Sequence, residues 1–192
     1  FNSDSSKKII KNLPFNLTQS QIEVYNEINV DLLSDNRMFR IIQGDVGSGK
    51  TIVSLLSIIN VIKSGYQCAL MSPTEILAKQ HYELSKKIFK NNIKIEFLTG
   101  KTEYKFRKGI LNNLKNGKID LLIGTHALFQ KKIDFKKLGL VVIDEQHKFG
   151  VKQRSDLAQK GGSNCDVLLM SATPIPRTMM MSLYGDMDIS KI

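Results

Sequence analysis

A single short stretch carries the clearest chemical pattern in this chain. It reads Gly44-Asp45-Val46-Gly47-Ser48-Gly49-Lys50-Thr51, and it lies between an apolar run that ends at Gln43 and another that starts at Ile52. The stretch matches the pattern G-x-x-x-x-G-K-[ST], in which glycines let the backbone wrap around an anion at the start of a helix. Lys50 is expected to reach the β- and γ-phosphates, and the Thr51 hydroxyl to bind Mg²⁺. The stretch therefore predicts a nucleoside-triphosphate site.

A pair of carboxylates follows a second apolar run. Asp144 and Glu145 come directly after LGLVVI, so both are expected at the carboxyl edge of a strand, where open α/β sheets bind ligands. Asp144 is predicted to bind Mg²⁺, directly or through water, and Glu145 to polarise the attacking water as general base. An isolated Asp-Glu dipeptide after a strand would also fit a solvent-exposed turn. The phosphate loop upstream favours the catalytic interpretation.

These residues must be positioned by a sheet, and the apolar runs predict one. Runs of strand length alternate with helical segments and read MFRIIQ, QCALMS, IKIEFLT, IDLLIGT, LGLVVID and DVLLMSAT. Alternation predicts βαβ units, and near-continuous apolar strands predict a sheet covered by helices on both faces. A leading helix is predicted from Thr18, its N-cap, to Leu33. We expect one α/β domain over 1–192 with a mostly parallel sheet, and a linker or N-terminal extension over 1–12.

Composition excludes several classes of protein. The chain has 192 residues, of which 42% are hydrophobic and 24% charged, a profile of globular rather than disordered, fibrous or membrane proteins. The apolar run from Ile52 to Ile62 is too short to span a bilayer. Cys68 and Cys165 match no metal-ligand spacing and predict a reducing cytoplasm. The N-terminus FNSDSSKK has neither an apolar signal segment nor an initiator Met, so we expect a fragment of a longer chain.

The positive charge is concentrated in one part of the chain. The net charge is +10, and the segment 79–137 holds 15 Lys and Arg against 5 Asp and Glu. Such an excess indicates a polyanionic partner, nucleic acid above all, although a Lys-rich composition alone is the alternative explanation. A helical wheel places Lys101, Lys105, Lys108 and Lys115 on a solvated face opposite Phe106, Ile110 and Leu114. This basic surface is expected to border a DNA path.

Several further stretches carry a family resemblance. Beyond GDVGSGKT and DEQH, the chain contains LPFNLTQSQ, MSPTEILAKQH, FLTG, IGTHAL, DEQHKFGVKQR, MSATPIPRT and YGDMDIS. In order and spacing they resemble the motifs of superfamily 2 nucleic-acid helicases and, within that superfamily, of the bacterial RecG family of branch-migration helicases. The resemblance runs from about Leu13 to Ile192. It implies the first RecA-like lobe, a P-loop NTPase domain that uses ATP and Mg²⁺.

The resemblance also implies a function and partners. It implies the ATP-binding lobe of a DNA helicase that couples ATP hydrolysis to translocation on duplex DNA and remodels replication forks and Holliday junctions in recombination and repair. The implied partners are branched DNA and, in the same full-length chain, a second RecA-like lobe and a wedge domain. The implied location is the bacterial cytoplasm, in association with the nucleoid and not with a membrane. Without the second lobe's arginine finger, little or no ATPase activity is expected.

Individual site residues follow from the matched motifs. Gln21 resembles the glutamine that reads adenine, and Phe15 is either a base contact or a hydrophobic staple ahead of the helix. Gln146 and His147 are implied to join Lys50, Asp144 and Glu145 in catalysis. The implied nucleic-acid contacts are Pro73, Thr74, Thr99, Gly100, Thr125 and His126. The residues implied to couple nucleotide state to DNA grip are Ser171, Ala172, Thr173 and Arg177.

One histidine and one lysine carry expectations of their own. His81 is expected on an amphipathic helix as a half-buried packing residue. Lys148 stands where the family usually shows Arg, and Lys lacks the bidentate fork of a guanidinium. We expect this difference to tune the site rather than abolish it.

Alternatives remain open at this point. The transcription-repair coupling translocase shares the phosphate loop and the ATPIPRT stretch. A P-loop nucleotide or metabolite kinase would also carry the phosphate loop, but it has no need of the SAT and GTH stretches. A non-catalytic DNA-binding module with a decayed nucleotide site is a third alternative, and the presence of Lys50, Asp144 and Glu145 argues against it.

Overall fold

Strands and helices alternate along the chain in a computed structural model that describes residues 4–90, 92–130, 133–145, 165–173 and 187–192. The helices are α1 (Asp4–Lys11), α2 (Gln19–Leu33), α3 (Lys50–Lys63), α4 (Glu75–Phe89) and α5 (Tyr104–Lys115). The strands are β1 (Phe39–Gln43), β2 (Gln67–Met71), β3 (Ile95–Leu98), β4 (Leu121–Gly124), β5 (Leu138–Ile143), β6 (Asp166–Ser171) and β7 (Asp188–Lys191). A short 3₁₀ helix covers His126–Phe129.

The strands form one parallel sheet. Its seven strands lie in the order β3-β4-β2-β5-β6-β1-β7, and every pair is parallel. All six predicted strands are present, which confirms the α/β fold with a parallel sheet. The seventh, β7, was not predicted, because it is a short edge strand in which Asp188 and Lys191 are exposed.

Helices cover both faces of the sheet. Because successive side chains of a strand point to opposite faces, Ile42 and Val142 join one core cluster whereas Ile41 joins the other. The first cluster is filled by α2 and α3, and the second receives Leu114 from α5. The layered arrangement predicted from the continuous apolar runs is confirmed. It also explains why those runs do not alternate with polar residues.

The helix that follows the phosphate loop is buried on all sides. Its buried polar side chains donate hydrogen bonds: the Ser54 hydroxyl to the Lys50 carbonyl at 3.0 Å, and the Asn60 amide nitrogen to the hydroxyl of Tyr25 at 2.9 Å. A helix apolar around its whole circumference belongs in a core, so α3 anchors the loop at its start. In the described parts of the chain, no helix is both long and apolar enough to cross a bilayer.

Two N-terminal helices pack against α3. Thr18 caps α2 as predicted, with a capping box completed by Gln21. Within 1–12, expected as a linker or N-terminal extension, α1 occupies most of the stretch, and the Ser6 hydroxyl lies 2.5 Å from that of Tyr25 on α2. This part of the extension is therefore packed onto the domain.

Both cysteines are free and buried. Burial raises the pKa of the Cys68 thiol well above its usual range and that of Cys165 to about 12. Both side chains therefore serve as small apolar groups of the core rather than as reactive thiols.

Candidate nucleotide and nucleic-acid site

The carboxyl ends of the parallel strands bring most of the predicted site residues to one edge of the sheet. The phosphate loop follows β1, Asp144 follows β5, and Ala172 follows β6; these three strands are neighbours. We call the loops after β5, β6 and β1 the nucleotide half of the edge. The loops after β3, β4 and β2, which carry the predicted nucleic-acid contacts, form the polynucleotide half.

Within the nucleotide half, the phosphate loop is closed around its own lysine. Lys50 is the first residue of α3, and its ammonium donates to the carbonyls of Gly44 at 2.5 Å and Asp45 at 2.7 Å. Burial lowers the pKa of Lys50, while the charges of Glu145, Asp144 and Asp45 partly oppose this effect. The amine is thus desolvated near three acidic groups, and an added phosphate would favour its charged form.

Gln21 supports the phosphate loop from the leading helix. Its amide nitrogen donates to the Ser48 carbonyl at 2.8 Å, and its amide oxygen accepts from the Thr18 N–H at 3.0 Å. Gly49 has φ 92°, a left-handed conformation that favours glycine, and a Cβ there would displace the Gln21 amide from the loop. The Thr18-x-x-Gln21 capping box was readable from the sequence, whereas the contact with the loop was not. Phe15 is 47% exposed.

The residues of the nucleotide half fit a magnesium-bound triphosphate. The Ser48 hydroxyl is buried and finds no hydrogen-bond partner among the described residues. Lys50 and Thr51 follow closely along the chain, in the first turn of α3. Hydroxyl and carboxylate oxygens are the ligands that Mg²⁺ prefers, with phosphate oxygens completing the set. The loop therefore offers donors for phosphate, and Thr51 and Asp144 offer oxygens for the metal.

The loop after β6 is tied to the phosphate loop through the backbone. The Gly44 N–H donates to the Ser171 carbonyl at 3.2 Å. The Ser171 hydroxyl lies 3.1 Å from the Thr173 hydroxyl and accepts from the Thr173 N–H at 3.2 Å. These hydroxyls therefore form a local turn, and the bond that ties this loop to the phosphate loop is a main-chain one.

Asp144 is held from two sides. Its N–H donates to the Met71 carbonyl at 2.8 Å, and its Oδ2 lies 2.7 Å from Nε2 of His81 on α4. Both side chains are nearly buried, with 9% of His81 and 12% of Asp144 exposed. The expectation that His81 is merely a half-buried packing residue is wrong: it is buried and paired with the predicted metal ligand. Local spacing cannot reveal this contact, because it joins residues 63 positions apart.

Glu145 has an unusual backbone conformation. Its φ is 49°, in the left-handed region that non-glycine residues seldom occupy. Strained conformations of this kind persist where the surrounding structure enforces them and are concentrated at functional sites. The turn places Glu145 directly after Asp144 at the end of β5, as the sequence predicts.

In the polynucleotide half, the loop after β2 starts α4. Thr74 caps the helix, its hydroxyl accepting from the Leu77 N–H at 3.3 Å, and it remains exposed. Pro73 precedes it, half-buried. Glu75 pairs with Lys101 at 2.9 Å, which joins the start of α4 to the loop after β3. Capping and an exposed position are both compatible with a contact to a nucleic-acid phosphate.

The loops after β3 and β4 lie near the ion pair between Glu75 and Lys101. The Thr99 hydroxyl accepts from the Lys101 N–H at 3.2 Å, and Gly100 is exposed. Hydrogen bonding by Lys101 lowers the pKa of the Glu75 carboxyl, with a smaller contribution from the charge of His126. His126 is exposed, whereas Thr125 is buried and its hydroxyl has no partner among the described residues. The structure thus brings the predicted contact loops together.

The lysines of this region are on the surface. Those of the segment 79–137 that the structure describes are all exposed: Lys79, Lys86, Lys87, Lys90, Lys94, Lys101, Lys105, Lys108, Lys115, Lys118, Lys136 and Lys137. The expected inward position of Phe106 is wrong, because its side chain is 65% exposed. The C-terminal part of α5 packs on the core through Leu114, Ile110 and Leu111. Its N-terminal part projects Phe106 and Tyr104 into solvent.

Some predicted residues lie outside the described part of the chain. They are Gln146, His147, Lys148 and Arg177. Their roles in catalysis and coupling stay predictions. Residues 174–176 and 184–186, which belong to the stretches that carry the resemblance, also lie outside the described residues.

Comparison with known proteins points to helicases. The family model for DEAD/DEAH box helicases matches residues 18–182. The ATP-dependent DNA helicase RecG of Aquifex aeolicus is 52% identical over 97% of the chain, which covers 24% of that protein. RecG of Bacillus subtilis is 49% identical over the whole chain, covering 28% of that protein. The chain therefore spans about a quarter of the length of these relatives.

Solved structures agree in fold. A RecG bound to a three-way DNA junction matches 98% of the chain, and 25% of its own, with a TM-score of 0.86 and 46% identity. The DEAD-box helicase Mss116 bound to ssRNA and UDP-BeF matches 97% of the chain and 42% of its own, with a TM-score of 0.74 at 21% identity, which shows the fold alone. The kinase alternative is excluded by the family match. The chain belongs to the DEAD/DEAH box helicase family.

Proposed function

We propose that this chain is the ATP-binding lobe of a RecG-like DNA helicase, which couples ATP hydrolysis to translocation on duplex DNA and remodels forks and Holliday junctions. The observation that carries the proposal is the adjacency of the two halves, since β2 and β5 are hydrogen-bonded neighbours. Sequence identity of 52% and 49% to two RecG helicases favours this function over that of a transcription-repair coupling translocase. The relative bound to a three-way junction supports branched DNA as the partner.

The nucleotide half binds ATP and activates water in this proposal. The Lys50 ammonium exchanges its two carbonyl partners for the β- and γ-phosphates, to which the Ser48 hydroxyl adds a donor. Thr51 and Asp144 would hold Mg²⁺, which when bound supplies positive charge against the phosphates. Glu145 orients the attacking water and accepts its proton on the carboxylate. Gln21, already against the loop, reads the adenine edge with its remaining hydrogen-bonding capacity.

The polynucleotide half provides the grip on DNA in this proposal. Its contacts are Pro73, Thr74, Thr99, Gly100, Thr125 and His126, with the exposed lysines of 79–137 adding attraction that does not depend on sequence. The residues proposed to couple the two halves are Ser171, Ala172, Thr173 and Arg177. In this proposal the full-length protein also contains a second RecA-like lobe and a wedge domain. It acts in the bacterial cytoplasm, in association with the nucleoid.

Unwinding by the full-length protein that contains this chain tests the proposal. We expect ATP-dependent unwinding of fork and four-way junction DNA, and we expect Glu145→Gln to abolish it while ATP and DNA still bind. The variant separates hydrolysis from binding because it removes a proton acceptor and leaves the shape of the side chain. Absence of unwinding by the wild-type protein on both substrates would overturn the proposal. Capture of RNA polymerase without junction unwinding would instead indicate the coupling translocase.

A further inference from the structure

One buried hydrogen bond crosses the boundary between the two halves. His81 on α4 belongs by its helix to the polynucleotide half, yet its Nε2 lies 2.7 Å from Oδ2 of Asp144 in the nucleotide half. An ionised carboxylate only accepts hydrogen bonds, so His81 is the donor and carries its hydrogen on Nε2. Little of either side chain is exposed. Water therefore competes weakly for this bond, which makes it stronger than a surface pair.

The bond completes a clamp on the carboxylate. The Asp144 main chain is already fixed by its N–H bond to the Met71 carbonyl, but that bond does not set the orientation of the carboxylate. His81 restrains that orientation by engaging Oδ2. A leucine would fill the same buried volume at lower cost, because a buried polar ring needs a partner. The position therefore requires a donor as well as bulk.

We propose that His81 is a positioning residue that holds Oδ2 of Asp144, so that the second carboxylate oxygen is presented to Mg²⁺ of the bound nucleotide. The inference rests on the proposed function, since it assigns Asp144 to that metal. Groups that hydrogen-bond a metal ligand fix its orientation, and their loss commonly lowers metal affinity about 10- to 100-fold. His81 itself touches neither the nucleotide nor the metal in this proposal.

Mn²⁺ binding to the full-length protein tests the proposal, because Mn²⁺ takes the oxygen ligands of Mg²⁺ and is counted by electron paramagnetic resonance. The protein is saturated with a non-hydrolysable ATP analogue and titrated with Mn²⁺. We expect His81→Leu to weaken Mn²⁺ binding about tenfold or more. His81→Gln, whose amide can reach Oδ2, should bind within about threefold of wild type, and His81→Asn, one bond shorter, should resemble His81→Leu. Nucleotide affinity without metal should be unchanged in all three.

The control and the contrary outcomes are distinct. Glu83→Gln alters an exposed residue of the same helix and should leave Mn²⁺ binding unchanged. Wild-type affinity in His81→Leu would overturn the positioning role, as would equal losses in His81→Gln and His81→Asn, which would indicate packing rather than a donor. If His81→Leu does not fold, the comparison of Gln with Asn decides. A wild-type protein that binds neither analogue nor Mn²⁺ would instead contradict the proposed function.

Discussion

The two halves of the carboxyl edge differ in how exposed their charged groups are. In the nucleotide half the Lys50 ammonium is bonded to its own loop, and Gln21 is bonded to Ser48. In the polynucleotide half Thr74, Lys101 and His126 are exposed, although Thr99 and Thr125 are buried. Recognition of a triphosphate and stabilisation of its transition state need fixed donors in a dry site. Sliding along DNA needs exposed charge that binds any phosphate, so the contrast fits the two tasks proposed for the halves.

The halves meet where β2 lies beside β5. Two hydrogen bonds cross this boundary at Asp144: one from its N–H to the Met71 carbonyl, the other from the His81 ring to its carboxylate. Helix α4, which carries His81, begins at the Thr74 cap and the Glu75 pair with Lys101. Helix α4 therefore links the polynucleotide half to the nucleotide half, which provides a physical route by which the proposed DNA contact would affect the proposed nucleotide site.

The largest effect is expected from Lys50→Ala, which removes the central cation of the nucleotide half. In the full-length protein we expect ATP affinity to fall about 10- to 100-fold, the value of hydrogen bonds to a charged group, and hydrolysis to fall about 100-fold or more. DNA affinity in the absence of nucleotide should stay within about twofold, because the other half is intact. Nucleotide-binding titrations and phosphate release measure the two losses. Lys63→Ala, at the exposed far end of α3, is the matched control.

An unchanged ATP affinity in Lys50→Ala would contradict this division of labour. It would restore the alternative of a DNA-binding module with a decayed nucleotide site. A parallel loss of DNA affinity would show that the two halves are not separable in the ligand-free protein.

An intermediate effect is expected from reversing Lys101, Lys105 and Lys108 to Glu in the full-length protein. DNA affinity should fall about tenfold or more, and the slope of log K against log salt should flatten by about 0.9 for each lost phosphate contact. Lys101→Glu also puts a negative charge beside Glu75, which adds repulsion. ATP affinity without DNA should not change. Fluorescence anisotropy at several salt concentrations measures both the DNA affinity and its salt dependence.

The control for that experiment reverses three lysines away from this edge. Lys8, Lys11 and Lys63 are exposed and lie on α1 and at the end of α3. Their reversal changes the net charge by the same amount as the first variant does. An equal loss of DNA affinity in both variants would show that binding depends on overall charge, and the lysine-rich segment would then be explained by composition alone.

What the sequence predicts best is what local physics determines. The strands of the sheet centre were predictable because burial on both faces requires continuous apolar runs, as in β5 and β6. The short edge strand β7 was not, since its pairing with β1 places only Ser190 in a buried position. The phosphate loop was predictable because its chemistry is contiguous.

Long-range contacts account for what was missed. The His81 contact with Asp144 and the Gln21 contact with Ser48 join distant positions through tertiary packing, on which periodicity is silent. Phe106 was misplaced for a related reason: a helical wheel assigns a face to the whole of α5, but only the C-terminal part of that helix meets the core. A wheel cannot tell where a helix loses contact with its sheet.

The smallest effect on ligand binding is expected at the opposite end of β6, where Asp166 is buried and accepts the Met38 N–H at 2.8 Å. Burial raises the pKa of this carboxyl to about 6. The folded chain therefore keeps a proton on Asp166 up to about pH 6, whereas the unfolded chain releases it at lower pH. The free energy of unfolding consequently falls as pH rises towards and through about 6, because the buried carboxyl must then ionise. Asp166→Asn keeps the acceptor and removes the charge. Its free energy of unfolding, relative to wild type, should rise by about 2 kcal/mol between pH 4 and 7.

Urea unfolding of the 192-residue chain at several pH values measures this difference. Asp35→Asn, at an exposed position, should show no such rise. Because Asp166 begins β6 whereas the two functional halves follow the strand ends, ATP and DNA affinities should stay at wild-type values in the full-length protein. A flat difference across pH would show that Asp166 is ionised at little cost. Altered ligand affinity would show that function depends on the amino edge as well, and the comparison of the two halves would then be incomplete.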